Sequence, residues 1–206
     1  MKHNKDNTTE QAILETAENL FLEKGFAMTS TTEISRIVGC NQALVHYYFR
    51  TKDRLFDTVF EKNANLFISA FLQKMDENIS FEEKVRKKTE TYYDMLKANP
   101  KLPFLFFNEL NTNPRRLNLL KEKIGDLPKS FFSQLESELR VEIEKGTIRP
   151  MTAIDLMLTI LSLNLVLFLA SPVLKVITGI TETEFQNLIE NRKRENVTVI
   201  LKSLRP

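Results

Sequence analysis

Cysteine, glycine and tryptophan are scarce in this 206-residue chain, which has one cysteine, five glycines and no tryptophan. The single cysteine, Cys40, cannot form a disulfide within the chain, so the sequence favours a reducing compartment. With so few glycines no phosphate-binding loop is present, and two histidines with one cysteine make no plausible metal set. No pair of a nucleophile and a general base stands out either. We therefore expect neither an enzyme nor a bound cofactor or metal.

Long apolar runs are also rare, and one stretch carries most of the hydrophobic signal. Residues 153–170 read AIDLMLTILSLNLVLFLA, which is about long enough to span a bilayer. Asp155 and Asn164 interrupt this stretch, and Pro172 follows it, so we expect a fully buried core helix instead. The polar start of the chain, MKHNKDNTTEQ, lacks the apolar segment of a signal peptide. The sequence thus predicts a cytoplasmic protein without a membrane partner.

Net charge gives little direction about partners. The formal net charge of the whole chain is +2. The first sixty residues hold seven lysines and arginines and eight aspartates and glutamates, which leaves a net charge of −1. Bulk electrostatics therefore does not favour a nucleic acid. Any nucleic-acid interface must be inferred from the local arrangement of side chains.

Helical periodicity covers almost the whole chain, so the sequence predicts an all-α fold. The first predicted helix has an apolar face over residues 13–21, Thr8 or Thr9 as its N-cap, and Gly25 at its end. Its apolar residues recur at spacings of one helical turn, as an amphipathic helix requires.

Two short helices are predicted to follow. Ser30, with Glu33 three residues later, has the pattern of a capping box, and Gly39 ends the helix that it starts. Asn41 can cap a third helix that ends before residue 51. Two short helices joined by about four residues around a glycine form a helix-turn-helix unit, whose second helix enters the DNA major groove.

The remainder of the chain is predicted to be helical as well. A long fourth helix should run from Thr51 or Lys52 to about Asp76. Further helices are expected over residues 81–98, 115–146 with a break at Gly125–Pro128, 151–171, and 182–204 with Thr181 as its cap. We predict two domains, residues 1–50 with the helix-turn-helix unit and residues 51–206, connected by the fourth helix.

Several short motifs follow one another without a gap in the first domain. They are Lys24-Gly25-Phe26, Thr31-Thr32-x-Ile34, Val38-Gly39, Tyr47-x-Phe49 and Lys52-Asp53-x-Leu55-Phe56. With these motifs, residues 8–56 resemble the DNA-binding domain of the TetR/AcrR family of bacterial transcription regulators. The resemblance implies a homodimeric, ligand-responsive regulator, usually a repressor, that binds a palindromic double-stranded DNA operator. It also implies a larger helical domain for ligand binding and dimerisation.

The resemblance assigns DNA contacts to eight residues: Thr31, Thr32, Gln42, Ala43, Leu44, His46, Tyr47 and Lys52. The two threonines, at the start of the second helix, would donate to phosphate oxygens. Gln42 can pair with adenine, and Leu44 can touch a thymine methyl group. His46 and Tyr47 would contact backbone or bases, and Lys52 a phosphate. Tyr48 and Phe49 would fix the third helix on the domain core.

The larger domain is predicted to form the dimer contact and to contain a ligand pocket. Residues 153–170 and the last helix are apolar enough for an intersubunit four-helix bundle, although both could instead lie inside one subunit. An apolar pocket, suited to a lipophilic effector, would be lined by Tyr92, Met95, Phe104, Phe107, Phe131, Met157, Asn164 and Phe168. The same residues could equally form a closed core.

A second class of function stays open at this point. The chain could be a helical adaptor that has lost DNA binding and uses its helix-turn-helix unit for protein contacts. The net charge of −1 over the first sixty residues would support this alternative. Salt-dependent binding to duplex DNA separates the two interpretations.

Overall fold

The computed structural model of the protein describes residues 2–72 and 78–206, with side chains for residues 8–70, 72 and 78–206. Within these ranges the chain forms α-helices and no strand, which confirms the all-α prediction. The helices are α1 (Lys2–Met28), α2 (Thr31–Val38), α3 (Gln42–Phe49), α4 (Lys52–Leu72), α5 (Phe81–Ala98), α6 (Leu102–Thr112), α7 (Pro114–Ile124), α8 (Leu127–Glu144), α9 (Ala153–Leu169), α10 (Ser171–Thr178) and α11 (Glu182–Leu204).

The first helix starts earlier than predicted and is interrupted where predicted. The predicted start at Thr8 or Thr9 is wrong, because no proline or glycine lies between residues 2 and 8 and α1 continues back to Lys2. Gly25, with φ 77° and ψ 173°, is non-helical inside α1. The chain then makes one more turn to Met28, and the Thr29 hydroxyl donates to the Gly25 carbonyl oxygen at 2.9 Å.

Most of the later helix boundaries agree with the sequence. Helix α4 begins at Lys52, and its predicted end at Asp76 lies outside the described residues. Helix α11 begins with the predicted capping box, in which Thr181 and Glu184 exchange side chain to backbone hydrogen bonds. Helix α10 was not predicted, because Pro172 was interpreted as a stop. Proline is compatible with the first turn of a helix, since its missing N–H has no partner there in any case.

The chain divides into two compact units. The first comprises Met1–Asn65 and Phe104–Leu120, and the second comprises Leu66–Pro103 and Lys121–Pro206. The first unit therefore contains most of α6 and α7 in addition to the helix-turn-helix region. The predicted functional boundary at residue 50 stays a prediction.

An aromatic cluster forms the core of the first unit. Phe56 is central: the centroid of its ring lies 4.8 Å from that of Phe21 and 5.0 Å from that of Phe26, both in edge contacts. Farther along α4, Phe60 stacks on Phe106 of α6 with 5.1 Å between centroids. The predicted apolar face of α1 packs here as well, with Ile13 and Phe21 almost fully buried. These contacts fix α1, α4 and α6 against one another.

Helices α5, α9 and α11 pack together in the second unit around a few buried polar groups. The Asn196 amide donates to Asn164 Oδ1 at 2.9 Å, and the Tyr93 hydroxyl donates to the Ile189 carbonyl oxygen at 2.7 Å. The apolar residues of α11 face this core; they are Phe185, Ile189, Val197, Ile200, Leu201 and Leu204. This face of α11 is therefore used inside the subunit, as one of the two interpretations allowed.

Helix α9 is not fully buried, which corrects the expectation for residues 153–170. Leu156, Ile160 and Phe168 pack inward, because α5, α8 and α11 cover only one side of the helix. On the other side Ile154, Leu158 and Val166 are 57%, 53% and 57% exposed. A single copy of the chain thus leaves an apolar stripe of α9 in contact with solvent.

Over the described parts of the chain, no single helix has both the length and the apolar character needed to cross a membrane. Taken together, α9 and α10 meet the criteria of length and composition, with a bend of 61° between them.

Candidate nucleic-acid interface and apolar cavity

The helix-turn-helix unit is set by local capping. The Ser30 hydroxyl accepts from the Glu33 N–H at 3.1 Å, while the Glu33 carboxylate accepts from Lys24 Nζ at 2.5 Å and so ties α2 to α1. Gly39 ends α2 with φ 74°, a left-handed conformation that glycine adopts without a steric penalty. Asn41 Oδ1 then accepts from the Ala43 N–H at 2.9 Å, which confirms the predicted cap of α3.

Helix α3 has one face on the core and one toward solvent. Val45 and Phe49 are buried, so α3 packs on the core of the first unit. The sequence predicted this role for Phe49. Ala43 and Leu44 are exposed, and Tyr47 is 69% exposed. The Tyr47 ring makes an edge contact with Tyr48, with 5.2 Å between centroids. A large aromatic side chain held outward by its neighbour is available to a partner surface.

The starts of α2 and α3 are joined by a side-chain hydrogen bond. Gln42 Nε2 donates to the Thr31 hydroxyl oxygen at 3.1 Å, and both side chains are half-buried, whereas Thr32 is exposed. This bond brings the N-termini of two helices to the same place, where their N–H groups favour a phosphate. Gln42 would have to exchange this bond for one to adenine, so its base contact stays a prediction.

His46 is exposed on α3 and bonded to the backbone at the end of the helix. Its Nδ1 donates to the Arg50 carbonyl oxygen at 3.2 Å. Because a carbonyl oxygen can only accept, Nδ1 is the donor in this hydrogen bond, and Nε2 is left for another partner. Arg50 itself has φ 65°, the one positive value outside glycine among the described residues.

Lys52 begins α4 and is partly shielded. Its Nζ lies 4.2 Å from the centroid of the Phe26 ring. This cation–π contact orients the ammonium group at the surface of the first unit, which we call the head. The predicted phosphate contact would add to this arrangement without the loss of much side-chain freedom.

Sequence reasoning passed over three exposed arginines near these residues: Arg36, Arg50 and Arg54. Between Ile34 and Lys52 the chain has no aspartate or glutamate but has Arg36, Arg50 and Lys52. The local net charge is therefore +3, although the first sixty residues together are slightly acidic. A window of about twenty residues, in place of sixty, would have found this signal.

A buried ion cluster joins α4, α6 and α7 in the first unit. Arg116 of α7 is 2% exposed and donates from Nη1 to Glu109 at 2.5 Å. Its Nε lies 3.6 Å from Asp57, which Arg115 also binds. The guanidinium group covers the Phe56 ring at 4.0 Å and the Phe26 ring at 4.7 Å. Burial raises the pKa of Asp57, and the two arginines oppose that effect.

Comparisons with known proteins find transcription regulators, and the family model and one solved structure name the tetR family. The family model described as bacterial regulatory proteins, tetR family, matches residues 13–59. The HTH-type transcriptional regulator RutR of Escherichia coli O157:H7 is 25% identical over 202 residues, which cover 95% of this chain and 90% of RutR. The biofilm operon icaADBC HTH-type negative transcriptional regulator IcaR of Staphylococcus epidermidis is 27% identical over 124 residues, which cover 60% of this chain and 65% of IcaR. The crystal structure of a tetR-family regulatory protein from Rhodococcus RHA1 matches with a TM-score of 0.70 at 16% identity, over 96% of this chain and 97% of that one.

The matched segment runs from Ile13 in α1 to Val59 in α4 and contains every residue of the candidate interface. Residues 13–59 therefore form a DNA-binding domain of the TetR family. The chain is accordingly a DNA-binding transcription regulator, with an N-terminal helix-turn-helix domain and a helical C-terminal region. The relatives compared are regulators, and none is described as an enzyme.

The second unit contains a cavity of about 170 Å³. Among the described residues, helices α5, α8 and α9 supply most of its wall, and Leu72 of α4 lines it as well. From α5 come Phe81, Lys84, Val85 and Lys88; from α8 Leu127, Ser130, Phe131, Gln134, Leu135 and Glu138; and from α9 Leu156, Met157 and Ile160. We call this space the α5–α8–α9 cavity.

Two of the eight predicted pocket residues, Phe131 and Met157, line this cavity. Four others lie elsewhere in the second unit: Tyr92, Asn164 and Phe168 are buried in its core, and Met95 is half-buried on α5. Asn164 is committed to the amide network with Asn196.

Phe104 and Phe107 are exposed on α6 in the first unit. Phe104 lines a second cavity of about 550 Å³, bounded by residues 21–27, α6 and α7.

Sequence reasoning missed the two lysines of the α5–α8–α9 cavity. Phe81, Val85, Lys88 and Tyr92 recur at spacings of three and four along α5, so Lys88 interrupts an apolar stripe. The spacing in the sequence alone places this lysine on the buried face of the helix. Attention to aromatic residues alone overlooked it.

Proposed function

We propose that this TetR-family protein is a homodimeric repressor that binds a palindromic operator through α2 and α3. A small molecule in the α5–α8–α9 cavity would release it from DNA. One observation carries the DNA-binding part: α3 is capped and packed from one side, its Tyr47 side chain is exposed, and the same segment of the chain contains three exposed arginines. Phosphate contacts would position the head, and base contacts from α3 would give sequence preference. The described function of IcaR as a negative regulator supports repression.

The apolar stripe of α9 supports the homodimer. Ile154, Leu158 and Val166 are each more than half exposed, and a second copy of the chain would cover them. A twofold axis through this stripe would make the contact self-complementary and place two heads on inverted half-sites. The four-helix bundle of the sequence prediction then needs revision, because the apolar face of α11 is already buried within its own subunit.

Helix α4 supports a coupling between ligand and DNA. It carries Lys52 at its start and Leu72, a wall residue of the α5–α8–α9 cavity, near its other end. A ligand with higher affinity for a conformation in which α4 is displaced would favour a spacing of the two heads that no longer matches the operator. A ligand-bound structure with unchanged head spacing would contradict this mechanism.

The DNA-binding proposal is tested with duplex DNA from directly upstream of the gene, by fluorescence anisotropy at several salt concentrations. Nanomolar affinity, a steep salt dependence and protomers bound in multiples of two are expected. If the affinity equals that for a random duplex, genome-wide selection of bound fragments decides whether the operator lies elsewhere. Absence of any selected sequence would leave the adaptor as the better interpretation.

The homodimer is tested by sedimentation velocity on the wild type and on Leu158→Arg. The substitution places a charge in the centre of the proposed contact, so the variant should sediment as a monomer. Leu117→Arg is the matched control, because Leu117 is equally exposed but lies on α7. A wild-type monomer, or a Leu158→Arg dimer, would remove α9 as the contact surface.

A further inference from the structure

The turn between α3 and α4 has a strained backbone. Its first residue, Arg50, has φ 65° and ψ −57°, and the Thr51 N–H donates to the Phe49 carbonyl oxygen at 2.6 Å. A hydrogen bond between residues two apart, with these dihedral angles between them, defines the γ-turn of positive φ, which is rare. Glycine adopts a positive φ without a steric penalty, whereas the Cβ atom of an arginine makes it costly.

The chain is anchored in the core on both sides of this turn. Phe49 is 8% exposed, and Phe56 is fully buried. Only Arg50 and Thr51 link the two helices, and the Thr51 hydroxyl oxygen accepts from the Arg54 N–H at 3.1 Å in the manner of an N-cap. A strained residue persists where the surrounding contacts determine its position, as they do here.

The strained conformation lets Arg50 hold the side chain of His46. The Arg50 N–H donates to the His46 carbonyl oxygen at 2.9 Å, and His46 Nδ1 donates to the Arg50 carbonyl oxygen at 3.2 Å. In a continued helix the carbonyl group of residue 50 would point toward residue 54, away from a side chain four residues earlier. The γ-turn reverses it, so the second bond depends on the turn.

No contact of the Arg50 side chain within the described residues offsets the strain. The side chain is exposed, and it has no hydrogen bond or ion pair to the described residues. By contrast Lys24, Lys62 and Arg115 of the head each bind a carboxylate. Backbone strain of this kind occurs at sites that contact other molecules.

We propose that Arg50 is a positioning residue for the recognition of DNA by α3. Its γ-turn holds the His46 ring through Nδ1, so that Nε2 meets a base edge in one orientation. Its guanidinium group binds a nearby phosphate. This inference rests on the proposed contact between α3 and DNA.

The hold on His46 is tested without DNA. A long-range proton–nitrogen NMR spectrum of the full-length protein at alkaline pH, where an imidazole is neutral, reports which ring nitrogen carries the proton. The chain has two histidines, so the variant His3→Gln assigns the signals of His46. We expect the proton on Nδ1. A proton mainly on Nε2 overturns the proposal.

Two substitutions separate the backbone of Arg50 from its side chain. Arg50→Gly removes the guanidinium group but adopts the γ-turn without a steric penalty. Arg50→Val also removes the group, and its β-branched side chain resists a positive φ. The proton should stay on Nδ1 in Arg50→Gly and leave it in Arg50→Val. Arg54→Val is the matched control, because Arg54 is also exposed but lies within α4, and it should leave the signals unchanged.

Thermal unfolding measures the strain and establishes that the variants fold. Arg50→Ala keeps the Cβ atom and lacks the guanidinium group, so it differs from Arg50→Gly only in the strain. Arg50→Gly should unfold about 2–4 °C above Arg50→Ala. A lower unfolding temperature for Arg50→Gly overturns the proposal, and this comparison is decisive even if Arg50→Val does not fold.

DNA binding gives each part of Arg50 its own readout. Anisotropy compares the upstream duplex, or a fragment recovered by genome-wide selection, with a random duplex of equal length. Arg50→Gly should weaken both complexes by a similar factor and reduce the salt slope by about 0.9. Arg50→Val should also reduce the ratio of the two affinities about tenfold, as for one lost base contact. His46→Ala should reduce the ratio equally, and the double variant no further.

The outcomes separate this inference from the proposed function. Failure of the selection to recover any sequence contradicts the proposed function and, with it, the role of Arg50 in the recognition of DNA. An unchanged affinity ratio in a folded Arg50→Val variant contradicts this inference and leaves the proposed function in place.

Discussion

Among the described residues, each of the two units buries one cation, and the surroundings of the two cations differ. In the first unit Arg116 is enclosed by the carboxylates of Glu109 and Asp57 and by two phenylalanine rings. In the second unit Lys88 lines a cavity whose wall is mostly apolar. Both side chains are nearly inaccessible to solvent.

The two surroundings give the two buried charges opposite effects on the stability of the fold. A buried charge enclosed by opposite charges stabilises one arrangement of the helices that carry them, and removal of either partner leaves the other uncompensated. A buried charge in a mostly apolar wall carries a desolvation cost, which lowers the pKa of Lys88. Removal of the two cations should therefore change stability in opposite directions.

The largest expected effect is that of Arg116→Met. The substitution leaves Glu109 and Asp57 buried beside an apolar side chain, so the free energy of unfolding should fall by about 3–5 kcal/mol. Urea denaturation measures it. The matched control is Arg115→Met, because Arg115 is more than half exposed and its loss should cost less than about 1 kcal/mol. Equal losses in the two variants would mean that the buried cluster contributes no more than a surface pair.

Lys88→Met should have the opposite sign. Burial lowers the pKa of Lys88 from 10.5 to about 8, so at pH 7, below both values, the folded protein bears the full cost of the charge. The variant should be more stable than the wild type by up to about 3 kcal/mol at pH 7.

The pH dependence of that difference is specific to the lysine. Between pH 8 and 10.5 the unfolded state binds more protons than the folded state, so the stability of the wild type rises relative to the variant. Urea denaturation at pH 7, 8, 9 and 10 should show the gap narrowing. A Lys88→Met variant that is less stable than the wild type at pH 7 would place Lys88 in the same class as Arg116.

Tyr47→Ala extends the comparison from cations to tyrosines. Tyr47 is 69% exposed, whereas Tyr92 in the second unit is fully buried. Tyr47→Ala should weaken operator binding about tenfold or more and change the free energy of unfolding by less than about 0.5 kcal/mol. Anisotropy and urea denaturation measure the two quantities. Tyr47→Phe separates the hydroxyl from the ring, and a large loss of stability in Tyr47→Ala would make Tyr47 a core residue.

The smallest effect concerns Lys52, which contacts the same Phe26 ring as Arg116 but is only half-buried. Lys52→Ala should lower the affinity for every duplex by a similar factor and reduce the salt slope by about 0.9. The control is Lys129→Ala, since Lys129 is 85% exposed in the second unit. A loss confined to one operator sequence would show that Lys52 contacts bases.

Features close in sequence were predicted well. Asn41 as the cap of α3, Gly25 as the break in α1 and Thr181 with Glu184 at the start of α11 all depend on groups within four residues of one another. Hydrogen bonds of this kind form whatever the remainder of the fold does. The candidate DNA contacts were placed by the same local pattern, and they stay predictions until DNA binding is measured.

Features that depend on distant residues could not be placed from the sequence alone. Eight residues were chosen for an apolar pocket because they are mostly aromatic or apolar. Helix packing put Phe131 and Met157 in the α5–α8–α9 cavity, Tyr92 and Phe168 in the core, and Phe104 in the wall of the second cavity, with its side chain largely exposed. Hydrophobicity alone cannot separate these outcomes, because it is the same for a residue that lines a space and for one that fills it.

The sequence by itself determined the helices, their caps and the helix-turn-helix unit of a TetR-family regulator, because these depend on short-range geometry. Only the tertiary structure decided which face of α9 stays exposed, that Arg116 meets its carboxylates, and that Lys88 lines a cavity. The physical reason is that burial is set by the helices that cover a residue. In this chain those helices lie tens of residues away from the side chains that they cover.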